Sequence, residues 1–183
     1  MVMNALGMIE LNSIAAGISM SDTLLKTADV QLVLSRTICS GKYMVIVGGS
    51  VAAVKSSIDS GLAHWEGSII DWMVIPSVHP SVLPAIAGSN TVKNLAALGI
   101  IESFSVASLL EAADAAAKAA EIELLEIRLA MALGGKAFVT MTGQVAAVRA
   151  AVDAGAAIVS AKGLLVNVVV IPAPSKELYQ NYI

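Results

Sequence analysis

The chain is short of most of the residue types that announce a chemistry. Cys39 is the single cysteine, so no disulfide can form within the chain. Histidine occurs twice, as His64 and His79. Neither has a cysteine nearby, and only Glu66 and Asp71 lie within reach in sequence, which is not the spacing of a zinc site. Charged residues make up 14% of the chain and the net charge is −3, with no basic run. A nucleic-acid partner needs a concentrated positive surface, so none is expected. A membrane-crossing helix needs about 18 or more apolar residues in a row. The longest candidate, from Ile158 to Ile171, is interrupted by Lys162, Gly163 and Asn167. The opening MVMNALGMIELN carries Glu10 and no basic segment, unlike a signal peptide, so a cytosolic location is the simplest expectation. The sequence has no nucleophile elbow, P-loop or dinucleotide-binding glycine pattern, and no enzyme is expected. Gly48-Gly49-Ser50 before a helix could bind an anion, but its counterpart Thr142-Gly143-Gln144 makes that a weak signal.

What the chain has in abundance is small aliphatic surface. Hydrophobic residues reach 57%, while aromatics are only 4%. That excess, without a membrane span, fits a small protein that buries much of its outside in an assembly.

The chain also repeats itself. Ala5-Leu6-Gly7-Met8-Ile9-Glu10 returns as Ala97-Leu98-Gly99-Ile100-Ile101-Glu102. Asp22 and Lys26 return as Asp114 and Lys118, and Arg36 returns as Arg128. After a two-residue insertion, Gly41-Lys42 matches Gly135-Lys136 and Val51-Ala52-Ala53-Val54-Lys55 matches Val145-Ala146-Ala147-Val148-Arg149. Asp59 and Gly61 match Asp153 and Gly155, and Val74-Ile75-Pro76 matches Val170-Ile171-Pro172. Two copies at this long period are a duplicated domain and not a solenoid. Residues 1–90 form the first copy with its linker, and 91–183 the second.

Each copy reads in the same order. Residues 4–11 alternate as a strand. Ser13 and Ser105 are placed to cap helices that run to about Ala28 and Ala120. Val30 to Thr37 and Lys42 to Val47 read as strands joined by a short loop. Gly48-Gly49-Ser50 breaks the chain before a helix to about Ala63, and Ile69 to Ile75 closes with Pro76. The class is α+β, two tandem ferredoxin-like β-α-β-β-α-β units with helices over one sheet face. His79 to Asn90 is the linker, with room for a short helix, and Ser175 to Tyr179 holds the same place after the second copy. Trp65 and Trp72 lack counterparts and are expected to pack at an interface between halves or subunits.

Each copy resembles the bacterial microcompartment shell domain. The residues that carry the likeness are the Ala-Leu-Gly-x-Ile-Glu opening, the Asp-x-x-x-Lys helix, the Gly-Lys loop, the Val-Ala-Ala-Val helix ending Asp-x-Gly, and the closing Ile-Pro. Ser77 and Ala173 follow the prolines where many members carry arginine. The resemblance implies flat hexagonal tiles, built here as a homotrimer of tandem chains within a planar lattice of other shell proteins. It implies that Ile38, Cys39, Ser40, Gly41, Leu133, Gly134 and Gly135 line a central pore. It places Lys26 and Lys118 at the tile edge. Cys39 in Thr37-Ile38-Cys39-Ser40-Gly41-Lys42 resembles the propanediol-utilisation subgroup with an iron–sulfur pore. One [4Fe–4S] cluster per trimer, on three Cys39 thiolates, would relay electrons to enclosed redox enzymes or be delivered across the shell. Clusters normally take four thiolates, so the fourth iron would carry a non-protein ligand. Met131 stands opposite Cys39 in the repeat, so the second loop adds no thiolate. A plain metabolite pore and a ferredoxin-like metabolite-binding regulator are the alternatives.

Overall fold

The structure, a computed structural model, describes residues 3–90 and 96–178. Tyr179 and the residues at the 90/91 boundary after Asn90 lie outside the described residues. In chain order the elements are β1 (Ala5–Leu11), α1 (Ile14–Thr27), β2 (Val30–Ile38), β3 (Lys42–Gly49), α2 (Val51–Trp65), β4 (Ile69–Pro76), α3 (Val82–Ile86), β5 (Ala97–Ser103), α4 (Val106–Ala119), β6 (Ile122–Leu129), β7 (Ala137–Gly143), α5 (Val145–Ala161) and β8 (Leu165–Ile171). The first sheet runs in the order β2-β3-β1-β4 and the second β6-β7-β5-β8, and every paired strand is antiparallel. This is the expected duplicated ferredoxin-like α+β fold.

Local chemistry explains the boundaries. The Ser13 hydroxyl accepts from the Ala16 amide at 3.3 Å, and Ser105 accepts from the Ser108 amide at 3.2 Å. Each satisfies one of the amide groups orphaned at a helix start. On α1 the buried positions Ala16, Gly17, Met20 and Leu24 form one face. The strand expected to break at Gly48-Gly49 continues through both glycines, and Ser50 then caps α2 by accepting from Ala53 at 3.2 Å. Its hydroxyl is thereby committed to the helix start.

The glycine of the Ala-Leu-Gly motif has a packing reason. A Cβ on Gly7 would sit 2.6 Å from Ile58 Cγ1, and one on Gly99 would sit 2.7 Å from Val148 Cγ1. In both repeats the second helix lies directly on the first strand at that residue. The first core gathers Ile9, Leu11, Met20, Leu24, Val45, Val47, Val54 and Ile58. Each large aliphatic side chain buried this way contributes about 1.5–3 kcal/mol. In the second repeat Ile101, Val139, Met141, Val148 and Val152 are buried in the matching places.

The chain forms two compact units. The first is Met1–Val78 together with Ala130–Gly135, and the second is His79–Leu129 with Lys136–Ile183. The linker holds a short helix, α3, and belongs to the second unit. The His79 amide donates to Asp114 Oδ1 at 2.7 Å, and the Asn90 side chain donates to the Leu124 carbonyl at 2.7 Å. Trp65 packs, partly buried, on the core of the first unit, and Trp72 is exposed. Among the described residues no helix is long and apolar enough to cross a membrane.

Candidate functional site

The β2–β3 connection is a short hairpin turn of three residues. Ile38 pairs with Lys42, and Cys39, Ser40 and Gly41 make the turn. Ser40 has φ +65° and Gly41 φ +70°. Glycine takes that left-handed conformation freely, whereas for serine it costs about 1–2 kcal/mol. Ile38 is buried beneath the turn, Cys39 is partly exposed, and Ser40 and Gly41 are exposed.

A buried ion pair steadies the base of the turn. Lys42 Nζ lies 2.9 Å from Oε1 of Glu10, which is fully buried on β1. A carboxylate so enclosed requires a charged partner. The second repeat has the same pair, Lys136 to Glu102 at 2.6 Å, but Glu102 is partly exposed. Sequence reasoning assigns these four residues no role. The signal is nevertheless present, since both Glu and both Lys recur in register between the repeats.

The β6–β7 connection contributes to the same unit. Its residues Ala130–Gly135 group with the first unit, and the Cys39 amide donates to the Ala130 carbonyl at 3.1 Å. Positive φ recurs along it, at Ala130 (+51°), Ala132 (+57°), Gly134 (+62°) and Gly135 (+85°). Left-handed residues of this kind are the backbone conformation from which anion-binding nests are built. The pKa of the Cys39 thiol is lowered chiefly by the backbone at Leu133, with further contributions in the same direction from Gly135, Ala132 and Gly134. Against a smaller opposing effect of burial, they hold the thiol below its usual pKa. A thiolate so stabilised is a nucleophile and a soft metal ligand. Leu133 is partly exposed, Gly134 exposed and Gly135 buried, whereas Met131 is exposed.

Among the described residues of one chain, no group of three or more His, Cys, Asp or Glu could hold a metal. One chain therefore offers one thiolate. His79 binds the linker instead: its Nδ1 is 2.7 Å from Ser81 Oγ. His64 Nδ1 lies 2.8 Å from the Ser60 carbonyl oxygen, one turn back on α2. An open hollow beside the start of α5 is lined by Glu121, Glu123, Thr142 and Gln144 among apolar residues. Its Thr142 hydroxyl is already used, donating to the Ala97 carbonyl at 2.8 Å.

The two lysines matched by the repeat stand in different surroundings. Lys26 is 74% exposed and pairs with the exposed Asp22 at 2.6 Å. Lys118 is 42% exposed and pairs at 2.6 Å with Asp114, which is 9% exposed and also holds the linker through His79.

A profile of the BMC domain matches residues 5–78 and again 97–174. The chain belongs to the BMC domain family. It is 40% identical to the bacterial microcompartment shell protein PduT of Citrobacter freundii, over 98% of this chain and 97% of that protein. It is 43% identical to the shell protein EutM of Salmonella typhimurium over 86 residues, 47% of this chain and 88% of EutM. The crystal structure of a microcompartments protein from Desulfitobacterium hafniense DCB superposes with a TM-score of 0.89 at 47% identity, covering 98% of this chain and 99% of that one. With two BMC domains in one polypeptide, this is a tandem-domain microcompartment shell protein.

Proposed function

We propose that the chain forms a homotrimer whose six BMC domains make one hexagonal tile of a cytoplasmic microcompartment shell, and that three Cys39 thiolates at its centre hold one [4Fe–4S] cluster. The observation that carries this reading is Cys39 itself, set in a tight three-residue turn and tied through its amide to the Ala130 carbonyl of a second loop whose backbone lowers the thiol's pKa. The donor set fits the group: a thiol whose pKa is lowered by backbone amides, donors of the kind that surround cluster sulfurs. A single thiolate per chain makes the site complete only when copies assemble, and threefold closure supplies three. When bound, the cluster supplies one-electron transfer across the shell or is itself the cargo. Ser40, Gly41, Leu133 and Gly134 border the opening around the thiolate, while Ile38 and Gly135 support the loops from beneath. Enclosed redox enzymes would be the electron partners. Lys26 and Lys118 meet neighbouring shell proteins at the tile edge.

The test is iron and acid-labile sulfide per trimer, with an electron paramagnetic resonance spectrum, on protein purified without oxygen. About one cluster per trimer, lost in Cys39→Ser, is the expected result. Iron at background in wild type removes the cluster and leaves a pore lined by a free thiol.

A further inference from the structure

The repeats differ in what lies over their first helix and second strand. In the second repeat the linker does: α3 packs on β6 and α4, and its Val82 and Ala85 are fully buried. The His79 amide on Asp114 and the Asn90 side chain on the Leu124 carbonyl fasten its two ends. The matching positions of the first repeat are apolar too, but they are open. Ile14, Ile18, Leu25 and Leu32 are between 42% and 58% exposed, whereas their counterparts Val106, Leu110, Ala117 and Leu124 are at most 8% exposed. Ile14, Ile18 and Leu25 share one side of α1 by helical spacing, and α1 packs beside β2, which carries Leu32. Exposed aliphatic side chains gathered on two neighbouring elements mark a docking surface.

The segment after the second repeat has the form of the linker. Leu178 follows Pro172 by six residues, as Val82 follows Pro76. The Leu178 amide donates to the Ser175 carbonyl at 3.2 Å, as the Val82 amide donates to the His79 carbonyl at 3.0 Å. Each turn enters a helix, Val82–Ile86 in the linker and 176–178 in the described part of the tail. Yet Val82 is buried and Leu178 is exposed. Five residues, Tyr-Gln-Asn-Tyr-Ile, follow Leu178 in the sequence and lie outside the described residues. The same number carries the linker from Leu83 to Ala87, the C-cap of α3. Resting on the homotrimer reading, we propose that the tail from Ser175 onward docks on α1 and β2 of a second copy, as the linker docks on α4 and β6. The linker follows the first repeat and covers the second. In a closed ring of copies, the repeat that follows the second is the first repeat of the next chain. Leu178 is the anchor, in the place that Val82 takes in the linker. Each copy gives one tail and receives one, so every joint of the ring is latched.

The experiment puts the photo-crosslinking residue p-benzoylphenylalanine at position 178 of the full chain, irradiates the assembled protein and maps the linked peptides by mass spectrometry. Light scattering gives the mass in solution. The expected result is a trimer in which position 178 is joined to residues 14–34 of a different chain, with products of two and three chains on a denaturing gel. A link from 178 to 14–34 within one chain makes the tail a cover for its own first repeat and overturns the second copy as occupant. Links elsewhere, or none, in trimeric protein overturn the docking and spare the homotrimer. A monomeric wild type overturns both. Hydrogen exchange gives a second reading without the unnatural residue. Leu178→Asp is expected to speed amide exchange along α1 and β2 of the trimer by about tenfold, while α4 and β6 keep the wild-type rate. Equal exchange in the two proteins overturns the docking, and so does protection of α1 that appears only in extended sheets, which assigns the face to neighbouring tiles.

Discussion

The two repeats share one fold but divide the labour. The first closes its β2–β3 connection with three residues and places a thiol there, whereas the second spends seven residues, 130–136, on the same connection and offers amides. The first buries Glu10 completely behind its loop, and the second leaves Glu102 partly open. The first leaves Lys26 largely in solvent, and the second ties Lys118 to a nearly buried aspartate. Duplication in one chain permits this: each half keeps the residues that build the sheet and helices, and the loops are released to diverge. A protein that closes its ring from identical single domains has no such freedom, because every loop around the ring is then the same.

The sharpest way to break the comparison is to move the thiol. Cys39→Ser combined with Met131→Cys keeps one cysteine per chain but puts it in the second loop. Iron binding is expected to be lost and not restored, because the backbone of residues 132–135 lowers the pKa of a thiol at position 39 and position 131 lies within that loop itself. Iron analysis of the double variant checks this, and full recovery would make the two loops interchangeable.

The next largest effect concerns the tile edges. Lys26→Ala with Lys118→Ala is expected to weaken the formation of extended sheets in electron micrographs while trimers persist. Lys26→Ala alone should account for most of the loss, since Lys26 is the more exposed of the two and its partner Asp22 is itself exposed. Unchanged sheets in the double variant would count against both lysines.

Thermodynamic stability separates the matched aspartates. Asp114→Ala removes the acceptor of the His79 amide and the partner of Lys118, a cost of about 2 kcal/mol. Asp22→Ala removes only an exposed helix pair, about 0.3 kcal/mol. Urea unfolding of the two variants measures the gap, and equal midpoints would contradict it.

The smallest difference is at a helix start. Ser50 caps α2 with its side chain, but Gln144 makes no side-chain cap on α5. Gln144→Ser is expected to stabilise by about 0.5–1 kcal/mol, and Ser50→Ala to destabilise by about 1 kcal/mol. Thermal melts of both variants read the opposite signs.

The fold is legible in the sequence because the repeat doubles every signal. A motif such as Ala-Leu-Gly-x-Ile-Glu is weak once and strong twice, and the caps at Ser13 and Ser105 follow directly from side-chain chemistry. The strand through Gly48 and Gly49 is not legible, because glycine weakens local strand propensity while pairing with β1 and β2 decides the matter. At the site, Cys39 and the loop glycines stand out by residue type. The conformation of the β6–β7 loop does not, because the reversals at Ala130 and Ala132 defy the usual preference of alanine. The Glu10–Lys42 pair escapes notice because its members are 32 residues apart and meet only across the sheet.

If copies of this chain build one metal site from one cysteine each, the metal must lie on their shared axis. Crystals of the anaerobically purified trimer, measured at the iron absorption edge, test this most directly. Anomalous iron density on the threefold axis, bounded by three Cys39 sulfurs, is the expected result. Iron bound elsewhere, or an axis without iron in crystals of protein that was reconstituted with iron and sulfide, would contradict it.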